Sequence, residues 1–569
     1  MMKRFAIFIV FVLIAAIMIP VTAQEPGDSG PIIEGFTGSS ANMNSFNPLR
    51  CNTADCQRLY GFMFPGLVGV DVETGQFANA TEAGDTSLAL SWDISDDGTE
   101  YTFHLRDDAF WTDGTPITAN DIKFSFVAIA SGEIGSDLSG YIDAGVAAVE
   151  VIDDYTVKFI YPEASCDALS LAAGAYPLPA HRFDNDYMNM VDSDYDLNPD
   201  VTGGIFKFGR IGDGQVVLVA NENAYGVEVV RPEGFIFLDT PDTTVAIERL
   251  LAGEINFLDA PERQRRQELI DDPNINTFAF PANGWNYIGL NLADPENPQN
   301  GYDEEGNFID QGHHPIFGDV QVRRALQLGM DVQEMIEIVS LNQGVQMASF
   351  EIPSSWAVSP DLEPIPYDPE AAGAMLDEAG WVMGDDGVRV CEGCMYAEAG
   401  APLSFTLMTG EGSPNAERIV LLFQDQMKDI GVEVTPQIID FNTMIGEMVG
   451  QTFDASLVGW SASYPVNPDI TQIFSGEADA LGSGFNFVSY HNPEALALNE
   501  QARVLPGCDP DERATLYHQV QEMVQADQPY LWLYTAEDMY AARTEIHGFS
   551  PYPNAAFWNI DTWAIDRAQ

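Results

Sequence analysis

The sequence predicts an α/β protein of several domains that are not strung on linkers. Three observations carry this. Before residue 260, strand hairpins are interleaved with single helices. From about residue 280, strands and helices alternate. No long Gly/Ser or Pro stretch separates the parts. A chain of 569 residues has room for about four domains at ~150 residues each. The missing linker points to domains joined by several short crossings.

The elements follow in order. Residues 24–57 read as loop-rich, with one short strand at Ile32–Phe36. Asp96-Asp97-Gly98-Thr99 is a turn signal, and Tyr101–Leu105 alternates apolar and polar residues, as a half-buried strand does. Asp113-Gly114 turns again. Thr118, with Asp121 three residues on, is a capping-box variant that opens a helix over Ala119–Ala130. Val149–Ile160 reads as two strands around Asp153-Asp154. After Gly203-Gly204 come strands at Ile205–Phe208 and Val216–Val219, then a helix over Thr243–Ala252 stopped by Gly253. Asp319 caps a helix expected to run to about Val339. Asp368–Ala379 and Asn415–Ile430 are helices closed by Gly380 and Gly431, and Pro510–Gln525 is the last long one. There is no repeat at a fixed period.

The N-terminus reads as an export signal. Lys3 and Arg4 precede an apolar run from Phe5 to Ile19; Pro20 ends it, and Val21-Thr22-Ala23 supplies the small residues of a cleavage site. A membrane anchor is the alternative, but fifteen apolar residues are short for a span of ~20. No Cys follows Ala23, so lipid modification there is not indicated. The remaining chain is expected to be soluble and extracytoplasmic. Six cysteines, at 51, 56, 166, 391, 394 and 508, suit that compartment. Cys51 and Cys56 can staple one loop. Cys391 and Cys394 can form a disulfide, half a zinc site or a redox pair. Zinc would need two further ligands, and a redox pair would need a helix after the first Cys, whereas Met395–Pro402 reads as a loop. Disulfides are therefore expected at 51–56 and 391–394. Cys166 and Cys508 stay unassigned, either paired or free.

Charge excludes some partners. The chain carries 87 acidic against 24 basic residues, a formal charge of −63. Such a surface repels nucleic acid and an anionic membrane face. It suits solubility, a salt-rich habitat or a cationic ligand. No nucleophile elbow, His-Glu-x-x-His, phosphate loop or dinucleotide fingerprint is present. No catalytic residue, cofactor or metal is assigned, and His313-His314 reads as a loop before the Asp319 helix rather than a metal site. Two aromatic segments at strand ends, flanked by small residues, read as cleft walls: Gly284-Trp285-Asn286-Tyr287 and Gly459-Trp460-Ser461-Ala462-Ser463-Tyr464.

One long stretch carries a resemblance. It reads Leu88-Ala-Leu-Ser-Trp92, then Ser95-Asp96-Asp97-Gly98, Tyr101-Thr-Phe-His104-Leu-Arg106, and Trp111-Thr-Asp113-Gly114-Thr-Pro116-Ile-Thr118-Ala-Asn-Asp121. This resembles the signature of the family 5 extracellular solute-binding proteins, the oligopeptide-, dipeptide- and nickel-binding components of ABC importers. Phe317-Gly-Asp319-Val-Gln-Val-Arg323-Arg324-Ala-Leu326 and Asp527-Gln-Pro529-Tyr-Leu-Trp532-Leu-Tyr534 extend the similarity over essentially the whole chain.

The resemblance implies a two-lobed periplasmic-binding-protein fold (type II, cluster C-like) that closes on ligand. It has an extra subdomain in the first lobe and a two-strand crossing between lobes. Mapped here, 1–23 is the signal peptide, lobe I is 24–57, 198–280 and 526–569, its inserted subdomain is 58–197, and lobe II is 281–525. The implied function is capture of peptides and delivery to a membrane permease by a monomer that is not an enzyme. Oligosaccharides, metal chelates or a sensing role are the alternatives. The implied ligand-binding residues are Trp285, Asn286, Tyr287, Trp460, Ser461, Ser463 and Tyr464. One departure stands out. Peptide binders of the family usually carry an Asp three residues after the Gly-Trp tryptophan, where it pairs with the peptide's ammonium; here that position is Ser463. Asp469, six residues later, is the candidate substitute. A charge-assisted hydrogen bond contributes ~1.5–3 kcal/mol, about twice a neutral one, so the exchange weakens the case for free-amine peptides.

Overall fold

The computed structural model describes residues 29–51, 53–80, 86–136, 145–174, 176–191, 193–227, 230 and 232–565. The expected export signal lies outside them. The strands of the two large sheets are β1 (Ile32–Phe36), β2 (Ala89–Ile94), β3 (Glu100–Leu105), β4 (Ala148–Asp153), β5 (Thr156–Ile160), β6 (Phe206–Gly212), β7 (Gln215–Ala220), β8 (Gly234–Asp239), β9 (Phe257–Asp259), β10 (Ile275–Leu290), β11 (Gly344–Gln346), β12 (Ser404–Gly410), β13 (Glu433–Ile439), β14 (Ala455–Ser461) and β15 (Tyr530–Arg543). Ten of them line up as β13-β12-β14-β10-β15-β9-β1-β8-β7-β6, with β11 against β15, and β2-β3-β5-β4 form a separate sheet.

Two strands run through both halves of the large sheet. β10 pairs antiparallel with β15 along two stretches, Ile275–Pro281 against Glu537–Arg543 and Trp285–Gly289 against Tyr530–Thr535, with a break in register between them. The first stretch continues into β9 and β1, the second into β14 and β11. The break falls on Pro281-Ala282-Asn283-Gly284, where proline has no N–H for the ladder and glycine tolerates a kink. The buried Thr535 hydroxyl compensates by bonding the carbonyls of Ala282 (3.0 Å) and Gly284 (2.7 Å).

Packing separates on either side of this break. One core joins aromatics of β1, β3, β5, β6 and β8 with the helix Ala119–Ala130 and the C-terminal Trp563 and Ile565. A smaller one on the same side gathers residues Ala246–Ile275 with Ala541, and the others gather residues between Trp285 and Ala536. The molecule therefore has two lobes. The four-stranded sheet packs on the first as an extra subdomain.

Local signals were legible where caps were present. Thr118 and Asp121 form the capping box, Asp368 caps Pro369–Glu378, and Gly253 and Gly431 take left-handed conformations at helix ends. One expectation is corrected. The helix capped by Asp319 ends at Leu328; Asp331 caps a second helix, Val332–Ser340, by accepting from the Glu334 N–H. Gly329 and a fresh N-cap outweigh the continuous apolar stripe. The helices Ala54–Met63, Phe441–Val449 and Pro493–Arg503 were missed. All three begin at side-chain caps, Thr53, Asp440 and Asn492.

Candidate ligand-binding cleft

A cavity of about 1090 Å³ lies between the lobes. Its lobe II wall is set by strand geometry. Trp285 in β10 and Trp460 in β14 are direct register partners, so both side chains stand on one face of the sheet and both line the cavity. Trp285 is only 4% exposed and leans on Tyr287 and Trp532. Trp460 is half-buried, stacked on Phe487 with ring centroids 5.8 Å apart. The segment Phe350-Glu351-Ile352 completes this wall. The facing wall comes from the subdomain: the irregular stretch around Tyr161, Glu163, Ser165 and Asp167.

The expected site residues separate accordingly. Trp285, Trp460, Ser461, Ser463 and Asp469 line the cavity. Ser463 Oγ donates to the Pro465 carbonyl (2.8 Å), and Asp469 Oδ1 accepts from the Thr471 N–H (2.9 Å), the Thr471 hydroxyl (2.6 Å) and Asn499 (2.7 Å). Asn286, Tyr287 and Tyr464 do not line it. Asn286 sits between Trp285 and Tyr287 on the opposite face of β10, beside Gly459, as a two-residue alternation requires. Tyr287 lies one layer below the wall, 1% exposed and stacked on Tyr530 at 3.9 Å. Tyr464 is half-buried away from the cavity lining, and burial, with Asp71 nearby, pushes its phenol up.

The residue that sequence reasoning missed is Glu351. It lines the cavity, is 5% exposed, and among the described residues forms no ion pair. Burial pushes its carboxyl up to about 7, opposed by a hydrogen bond from Ser355. The only hint in the sequence was a lone acid inside the apolar run Phe350–Pro353. Around it the cavity presents Glu163, Asp167 and Asp469 against Arg503, and Arg503 is already held by both oxygens of Glu500 at 2.7 and 3.0 Å. The surface is aromatic with an excess of negative charge, which suits a ligand with apolar groups and a cationic end.

Among the described residues, no group of three or more His, Cys, Asp or Glu is placed to hold a metal ion. His314 accepts the Ile316 and Phe317 N–H groups at Nδ1 (3.1 Å each) and faces Asp454 through Nε2 at 3.2 Å. Both ring nitrogens thus hold the loop before Val320. All six cysteines are in disulfides: Cys51–Cys56, Cys391–Cys394 and Cys166–Cys508. Sequence spacing alone does not assign the last pair, whose partners lie 342 residues apart.

A two-lobed fold with an aromatic cleft at a two-strand crossing defines a solute-binding protein. The family described as bacterial extracellular solute-binding proteins, family 5, matches residues 86–481, and the chain belongs to it. The oligopeptide-binding protein AppA of Bacillus subtilis is 27% identical over 564 residues, covering 96% of this chain and 93% of the relative. Di/tripeptide-binding protein 1 of Pseudomonas aeruginosa is 25% identical over 496 residues, 83% of this chain and 85% of the relative. Among solved structures, Bacillus subtilis AppA in complex with a nonapeptide aligns with a TM-score of 0.65 at 25% identity, covering 95% of this chain and all of that one. HbpA2 from Haemophilus parasuis aligns at 0.79 and 21% identity over 95% and 100%, a likeness of fold. Among the described residues, no helix is long and apolar enough to cross a membrane.

Proposed function

We propose that this chain is the extracytoplasmic receptor of an ABC importer that captures peptides in the interlobe cleft and hands them to membrane permease subunits. It acts as a monomer and a binder rather than a catalyst. The observation that carries the ligand class is the lobe II wall, where two register-paired tryptophans share the cavity lining with a buried carboxylate that forms no ion pair among the described residues. Ionising Glu351 in that setting is unfavourable until a cation arrives, and a peptide ammonium is such a cation. Glu351, rather than Ser463 or Asp469, is therefore the group that receives the peptide's amino end, while Trp460 and Trp285 pack on its side chains. Peptide-bound AppA and the peptide-binding names of the relatives support the class. The cavity, at about 1090 Å³, lies just above the usual ~300–1,000 Å³ range for small-molecule sites, which suits a ligand of several residues. The register break near 281 supports lobe II beginning there, with the chain returning to lobe I within 526–569, and the leader composition supports removal of residues 1–23 on export.

The test is calorimetry of the exported chain with free-amine and N-acetylated peptides of the same sequence. The expected result is that the free amine binds at least tenfold tighter and that Glu351→Gln removes the difference. Equal binding of both peptides to both proteins would reject Glu351 as the anchor. Binding of oligosaccharides alone would reject the peptide class.

A further inference from the structure

The two lobes are connected at a second place. Cys166 belongs to the subdomain of lobe I, next to the buried Ala168 of the first core. Cys508 precedes the helix Pro510–Asp527, whose Val520 and Val524 pack in a lobe II core beside Trp285 and Tyr287. Their disulfide spans 342 residues of sequence. Polar contacts between the lobes surround it. The Cys166 N–H donates to the Arg503 carbonyl at 2.8 Å, the Arg513 guanidinium lies 3.7 Å from Asp167, and Asn467 hydrogen-bonds the Asp167 carboxylate. The Tyr101 hydroxyl donates to the Ser165 carbonyl (3.2 Å) and sits 3.7 Å from the Cys508 sulfur.

The position matters for the cleft. Asp167 lines the large cavity and also a smaller one of about 230 Å³. The smaller cavity is walled by Trp92 and Leu169 from lobe I, Trp356 and Pro468 from lobe II, and both sulfur-bearing residues. The disulfide thus stands at the rim of the cleft, beside the partition between the two spaces.

We propose that Cys166–Cys508 is a covalent stop on lobe opening. A body hinged only at the crossing of β10 and β15 is free to swing; a second attachment at the rim leaves chiefly rotation about the line through both points. In the oxidised protein the lobes stay close on the bridged side, ligand enters and leaves on the unbridged side, and the partition at Asp167 limits how far a ligand extends. Reduction by a dithiol delivers two electrons and two protons, converts the bridge to two thiols and oxidises the dithiol to its own disulfide, freeing the full swing. This goes beyond the peptide reading and does not depend on which solute is bound.

The test starts with a non-reducing peptide map of the exported chain, expected to recover the Cys166–Cys508 linked peptide; recovery of either cysteine as a free thiol overturns the proposal. Small-angle scattering then compares the oxidised protein with C166S/C508S and, as a control for the other bridges, with C51S/C56S. The expected result is a larger radius of gyration and a broader pair-distance distribution for C166S/C508S alone. Superimposable curves from folded proteins overturn the proposal. Should C166S/C508S fail to fold, hydrogen exchange of the wild type before and after mild reduction decides: faster exchange at 281–285 and 535–537 supports the stop, and unchanged exchange with the bridge reduced rejects it.

Discussion

The two walls of the cleft are built differently. On the lobe II side, Trp285 and Trp460 stand on paired strands over a second aromatic layer, Tyr287 on Tyr530 and Trp532 beneath Trp285. On the subdomain side, the lining runs through the irregular stretch between β5 and the short helix Ala168–Ala173, and its anchor to the other lobe is a disulfide with polar contacts. A wall with a packed layer behind it is preorganised and supplies affinity. A wall of loop supplies polar groups and accommodates closure. On the reading proposed above, the difference assigns affinity and gating to opposite faces of one cavity.

The largest expected effect separates the wall from the layer behind it. Tyr287→Ala removes a fully buried ring and is expected to lower the unfolding free energy by about 3–5 kcal/mol. Trp460→Ala, at a half-buried position, is expected to cost less than half as much stability while still weakening ligand binding. Urea unfolding of both variants checks this, and equal losses would erase the distinction.

Next is the pH dependence set by Glu351. An unfolded chain releases this proton at ~4.3, whereas the folded one holds it up to about 7. Between these values the folded state binds more protons, so stability falls as pH rises through the window, by at most about 3–4 kcal/mol from this group. Chemical denaturation at pH 5 and 7.5 should show the slope, and Glu351→Gln should flatten it.

The smallest effect concerns the crossing. Thr535→Val leaves the carbonyls of Ala282 and Gly284 without their hydroxyl donor, an expected loss of about 1–3 kcal/mol. Hydrogen exchange should quicken at 281–285 and stay unchanged in the subdomain. A uniform change would mean that the hydroxyl supports the whole fold rather than the crossing.

Much of the site was legible as composition and spacing. Small residues around two strand-end tryptophans marked the lobe II wall, and Trp285 and Trp460 do line the cavity. Asn286 and Tyr287 were placed in the same wall because neighbours in sequence were treated as neighbours in space; alternation along β10 sends Asn286 to the far face, and the depth of the aromatic stack buries Tyr287. Glu351 was not found because its one local mark, an acid inside a short apolar run, carries little weight among 87 acids; its setting arises from the residues that close over it.

By itself the sequence determined the fold class, the family, and the capped helices with their glycine stops. These rest on local chemistry, such as the Thr118–Asp121 box, or on long motifs. Only the tertiary structure decided that Cys166 bonds Cys508, that Trp285 pairs in register with Trp460, and that Glu351 meets the cavity without an ion-pair partner among the described residues. Each of these depends on atoms brought together across hundreds of residues, where register and burial set the partners and no periodicity in the chain records them.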